Sequence, residues 1–184
     1  MKYPVLIAVS LVALSLGGCG KKEEAVPAAV ASDSMSTEAP PAAAMSPGQT
    51  FANAAAASDA FEIESSQLAE SKATSPKVKN FAAQMIKAHT DSTAKLKTAA
   101  GSASPAIVPD TAFSDAQRQA LSDLGAKTGA NFDGAYAKAQ VDAHQATLDA
   151  VKAYSANGDV PSLKAFATGL VPVVTAHLNM AKGL

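Results

Sequence analysis

The chain of 184 residues has no tryptophan and only 5% aromatic residues. Its single cysteine, Cys19, cannot close an internal disulfide, so no disulfide framework holds the fold. Positive charge is not in excess: the formal net charge is −1 and no basic stripe is present, which argues against a nucleic-acid partner. Long alternating runs of apolar and polar residues are missing, so strand signals are weak. No Gly-x-Ser-x-Gly elbow and no glycine-rich phosphate loop occur. Scattered Ser, His and Asp residues do not space into a triad, so no catalytic motif is found and a non-enzymatic role is favoured.

What is present begins at the N-terminus. Lys2 precedes an apolar run from Val5 to Leu16, and small residues follow. That is the layout of a secretory signal over residues 1–18. The run falls short of the roughly 20 apolar residues that span a bilayer. Leu16-Gly17-Gly18-Cys19 resembles the bacterial lipobox, which implies cleavage before Cys19 and lipid on its thiol. Two or more acyl chains, at about 0.8 kcal/mol per buried methylene, anchor stably. Gly20 stands where an aspartate would signal retention in the inner membrane, so the resemblance implies the outer membrane, with the domain in the periplasm. Residues 19–49 are rich in Ala, Pro, Ser and Thr and lack aromatics, the composition of a disordered tether.

Residues 50–184 make one helical domain. The spacing predicts a first helix from about Thr50, its expected cap, to Lys72, with Phe51, Ala54, Phe61 and Leu68 on one stripe. Pro76 opens a second helix that reaches Ala100 and carries Val78, Ala82, Met85, His89 and Leu96. A connector at 101–113 leads into a short helix from Asp115 to Lys127. Residues 128–131 interrupt it. A third long helix runs from about Phe132 to Ala156 with Tyr136, Val141, His144, Leu148 and Val151 on its apolar face. Asp133 reads as an acid placed for the dipole of that helix's first turn. Pro161 opens the last helix, whose stripe reads Leu163, Phe166, Leu170, Val173, His177, Met180 and Leu184, with a kink expected at Pro172. The fold class is all-α: a four-helix bundle with a short extra helix in the connector.

All three histidines, His89, His144 and His177, fall on apolar stripes of different helices. Reflecting His89 through a turn at about residue 75 lands near Glu62, with Glu64 close by. Reflecting His144 through about residue 160 lands beside His177. Three imidazoles and one carboxylate in a shared layer suit a transition metal: zinc, iron, manganese or copper. The competing reading makes each histidine a buried polar residue bonded to a neighbour, with no metal.

The order and spacing of Glu62-Ile63-Glu64, Leu68-Ala69, Val78-Lys79, Phe81-Ala82, Met85-Ile86, His89-Thr90, Phe132-Asp133, Ala135-Tyr136, His144, Phe166-Ala167, Pro172 and His177-Leu178 resemble the bacterial family called domain of unknown function 4142. The resemblance spans Phe51 to Leu184. It implies an exported protein with a ferritin-like bundle, and functional weight on Glu62, His89, His144 and His177. Ala88 departs from the pattern, which places an aspartate just before the first histidine. A ferritin-type di-iron centre needs glutamate three residues before histidine on two helices. Ile86, Val141 and Val174 occupy those positions here.

Two functions follow. One is a lipid-anchored cell-envelope protein with a structural or interaction role. The alternative is a periplasmic metal-binding bundle that uses the histidines and a glutamate in its core.

Overall fold

The computed structural model describes residues 44–184. The expected signal segment, the lipid on Cys19 and the tether up to residue 43 lie outside the described residues. Those described form five helices and no strand: α1 (Pro47–Lys72), α2 (Pro76–Gly101), α3 (Asp115–Gly125), α4 (Gly129–Asn157) and α5 (Pro161–Ala181). No described helix is long and apolar enough to cross a membrane.

Serine followed by proline starts two of the helices. Ser46 and Ser75 take extended backbone and accept from Gln49 N and Val78 N, while Pro47 and Pro76 enter the first turn. α1 therefore begins three residues before the expected Thr50 cap. Thr50 donates its backbone N–H to Ser46 O and lies inside the helix. α4 also begins early. Gly129 holds φ +61°, a left-handed conformation glycine adopts without strain, and this carries the chain from α3 into α4 within the expected interruption. Ser114 closes a capping box with Gln117 at the start of α3.

α1 packs along α2 and α4 along α5, and α1 on α4 and α2 on α5 complete a closed cycle of four long helices. α3 rests against α1 and α4, and Gln117 Nε2 ties it to Ala57 O at 3.2 Å. Asp133 does more than face a helix dipole. It lies beyond the first turn of α4, where its carboxylate accepts from Thr74 Oγ1 at 2.7 Å and Ser75 N at 3.0 Å, clamping the α1–α2 turn to α4.

The seam of α5 differs from the expected stripe. Val173 and Met180 are 43% and 39% exposed, and Ala167, Val174, Leu178 and Ala181 join the expected Leu163 and His177 on the buried face. Ala54 of α1 likewise faces solvent. Alanines let the helices approach closely, so the small residues carry the contact and the bulky ones fall beside it. α5 continues through Pro172, whose ring is exposed.

Two apolar clusters fill the interior. One holds Phe51, Leu96, Leu148, Val151, Leu163 and Val174, and the other holds Val78, Phe81, Met85, Phe132 and Tyr136. Between them along the chain come the buried polar residues Asp59, Glu62, Ser65 and Ser66 on α1, His89 and Ser92 on α2, and Gln140 and His144 on α4. Each large apolar side chain contributes about 1.5–3 kcal/mol on burial. Each buried polar group left unpaired costs about 1–3 kcal/mol. A polar layer through the core thus reduces stability, which directs attention to what it does.

Candidate metal centre

His89 comes from α2, His144 from α4 and His177 from α5. Their ring centroids form a nearly equilateral triangle: 5.7 Å for His89–His144, 5.7 Å for His89–His177 and 5.5 Å for His144–His177. The interplanar angles are 70°, 57° and 76°, so no pair stacks. The rings offer one nitrogen each, and these three nitrogens all lie within 4.8 Å of one another.

The hydrogen bonds decide which nitrogens are free. His89 Nδ1 donates to Asp59 Oδ1 at 2.8 Å, and His144 Nδ1 donates to the carbonyl of Gln140, one turn earlier, at 2.8 Å. In each ring the proton then resides on Nδ1, and Nε2 keeps its lone pair. His89 Nε2, His144 Nε2 and His177 Nδ1 are buried and have no partner. Imidazole nitrogens on one zinc- or copper-sized ion sit about 3.4 Å apart for bonds near 2.0–2.1 Å. The observed spacing is at most about 1.4 Å wider than that.

Burial sets the charge state. Desolvation pulls His144 and His177 down to about 4. Both rings are therefore neutral near pH 7, the form that binds metal. Desolvation pushes the Glu62 carboxyl up to about 7.

Of the two acidic candidates, Glu62 is 1% exposed and Glu64 is on the surface, so Glu62 is the core carboxylate. It does not join the three nitrogens. Its Oε1 lies 3.6 Å from His144 Nδ1, the edge of the ring opposite the free Nε2, and neither carboxylate oxygen has a hydrogen-bond partner. Nearby, Gln140 Nε2 donates to Ser65 Oγ at 3.2 Å, and the Ser66 and Tyr136 hydroxyls pair at 2.8 Å.

The residue that sequence reasoning missed is Asp59. It is 5% exposed and holds His89, while its Oδ2 accepts from Thr93 Oγ1 at 3.2 Å. Where Ala88 removes a carboxylate next to His89 in sequence, α1 supplies one from across the helix pair. The signal was one residue away. α1 ends at Lys72 and α2 begins at Pro76, so the turn centres on residue 74, and reflecting His89 through it lands on Asp59.

A groove of about 990 Å³ runs between α3 and the α1–α4 face. Asp59 and Ser92 line it, and none of the three histidines does. The cluster is an internal centre rather than part of that groove.

Fold and layer together define a helical bundle with a histidine cluster at its core. The chain belongs to the family described as Domain of unknown function (DUF4142), whose model matches residues 33–184. No curated protein matches it. Among solved structures it is similar to CopM in the Cu(I)-bound form, at 18% identity and a TM-score of 0.62, over 76% of this chain and 95% of that one. CopM in the Cu(II)-bound form gives a TM-score of 0.62 at 17% identity, over 74% of this chain and 93% of that one. At such identity the likeness concerns the fold.

Proposed function

We propose that this protein is an exported, lipid-anchored helical bundle that binds one transition-metal ion through His89, His144 and His177. The observation that carries the reading is the set of three buried imidazole nitrogens, unpartnered and gathered from three helices. A structural histidine usually satisfies both nitrogens when buried. Three that each keep one nitrogen free, in one place, make the donor set of a metal site.

Among the four metals considered, three neutral imidazoles favour copper, zinc or iron over manganese, which prefers oxygen donors. Divalent copper stands highest in the affinity order of its row, and the similarly folded CopM is copper-bound in both solved forms. Copper is therefore the first metal to test. Glu62, expected as a ligand, serves in this reading as the buried carboxylate behind His144, where it offsets the charge of the ion. The four long helices read as a ferritin-like bundle without a di-iron motif. Export and lipidation at Cys19 rest on the lipobox-like sequence, and metabolic labelling with radioactive palmitate, lost in Cys19→Ser, tests them.

Elemental analysis of the gently purified protein, followed by titration with copper, zinc, iron and manganese, tests the metal. One ion per chain, lost in His144→Ala, is the expected result. A metal-free protein whose melting is unchanged by all four ions would leave the other reading, a structural or interaction module. That second reading has its own support, since His89 and His144 are each hydrogen-bonded on one side as structural histidines are. It predicts that the histidines can be replaced with only a loss of stability.

A further inference from the structure

We infer that Asp59 is the positioning residue of this centre, setting the tautomer and angle of His89 so that its lone pair faces the other two imidazoles. The inference rests on the metal reading above, but it starts from contacts that exist without metal.

The three rings are held unequally. His144 is fixed by a carbonyl of its own helix, which any α-helix provides. No hydrogen bond between described residues fixes His177. Only His89 is hydrogen-bonded to a charged side chain from another helix, at 2.8 Å between Nδ1 and Asp59 Oδ1. The carboxylate is itself fixed on its far oxygen, since Thr93 Oγ1 donates to Oδ2 at 3.2 Å. Thr93 lies one turn beyond His89 on α2, and its single hydroxyl proton is shared between Asp59 Oδ2 and His89 O, which lies 2.9 Å away. Residues 59, 89 and 93 therefore form a closed unit that spans the α1–α2 interface.

A neutral imidazole carries its proton on either nitrogen, and the stronger acceptor nearby decides which. A carboxylate is the strongest acceptor a side chain offers, and a charge-assisted bond to it holds the proton on Nδ1. Nε2 must then be a lone pair. Without Asp59, His89 is free to place its N–H on Nε2, aimed at His144 and His177, and a cation in that position would meet a proton in place of a donor pair. Asp59 also makes the imidazole a stronger donor, as carboxylate partners of metal-bound histidines do. Its negative charge, 5% exposed and one ring away from the ion, offsets part of the ion's charge in a poorly solvated layer.

The experiment uses the full-length protein and two readouts. The first is the ring-nitrogen NMR spectrum of the metal-free form, which reports the tautomer of His89. The second is Cu(I) affinity by competition with a chromogenic chelator. In the wild type, His89 is protonated on Nδ1. In Asp59→Ala the proton moves to Nε2 in a large share of molecules and Cu(I) binds about 10–100-fold more weakly. Asp59→Asn, whose amide oxygen still accepts, falls between the two. Thr93→Val keeps the carboxylate and loses only its brace, and its affinity falls less than that of Asp59→Ala. A wild-type His89 protonated on Nε2 overturns the inference, as does an Asp59→Ala variant that binds Cu(I) as tightly as the wild type. If the wild type binds neither Cu(I) nor any of the four metals titrated above, the metal reading has failed, and the tautomer of His89 in the wild type and in Asp59→Asn still decides the role of Asp59. Should Asp59→Ala not fold, Asp59→Asn and Thr93→Val carry both readouts.

Discussion

Glu62 is the least well satisfied acid in the described core, fully buried and without a hydrogen-bond partner. Its carboxyl is pushed up from 4.5 to about 7, so above pH 7 the folded protein holds a buried anion that the unfolded chain would leave in water. Glu62→Gln removes that charge. In metal-free protein at pH 8 it should raise stability by about 2 kcal/mol, read by urea denaturation, since a tenfold change in a protonation equilibrium is worth about 1.4 kcal/mol. His144 and His177 act with the opposite sign. Their folded values near 4 lie below the ordinary 6.5, so the unfolded state takes up protons first as pH falls. The stability they permit is complete above pH 6.5 and is lost progressively down to about pH 4. Between pH 4.5 and 6.5 Glu62 offsets part of this slope, because there it is protonated only in the folded state. The melting temperature of the metal-free protein should therefore rise from pH 4.5 to 6.5, and rise more steeply in Glu62→Gln. A flat profile in both proteins contradicts the buried, neutral histidines. At this scale the histidines are legible in the sequence because they interrupt apolar stripes. Asp59 is not, because a turn centre misplaced by one residue moves a facing position from one side of a helix to another.

Helix boundaries are clearest in the sequence where proline marks a start, at Pro76 and Pro161. Ser46-Pro47 carries the same signal as Ser75-Pro76, yet the alanine-rich sequence before it disguises the boundary. The buried face of α5 departs from the bulkiest apolar stripe because close packing selects Ala167 and Ala181 for the seam. A Cβ on Gly48 would stand 2.6 Å from Val160 Cγ2 and 3.3 Å from the Tyr154 hydroxyl. Gly48→Val should force the first turn of α1 away from the start of α5 and cost about 1–3 kcal/mol by chemical denaturation. Asp133→Ala removes the clamp between the α1–α2 turn and α4. It should lower the melting temperature while the metal content per chain stays unchanged, because the clamp lies at the end of the helices rather than in the histidine layer.

For the whole molecule, the described residues show an apolar core divided by a polar layer, and a place for an ion explains why the layer is there. The hydrophobic pattern is enough to predict an all-helical chain and the pairing of its hairpins. It does not reveal the shared layer, since docking of one hairpin on the other depends on packing between residues far apart in sequence. Metal bound only by the folded state stabilises it by mass action, by about 2.7 kcal/mol when free ion exceeds the dissociation constant a hundredfold. For a domain of this size the melting temperature should then rise by several degrees, and a chelator should reverse it. The most direct test of the metal centre is X-ray absorption at the copper edge of the loaded protein. Three imidazole nitrogens at about 2.0 Å are the expected shell, falling to two in His177→Ala. A shell of sulfur or carboxylate oxygen, or one unchanged when any of the three histidines is replaced, would contradict a centre built from these rings.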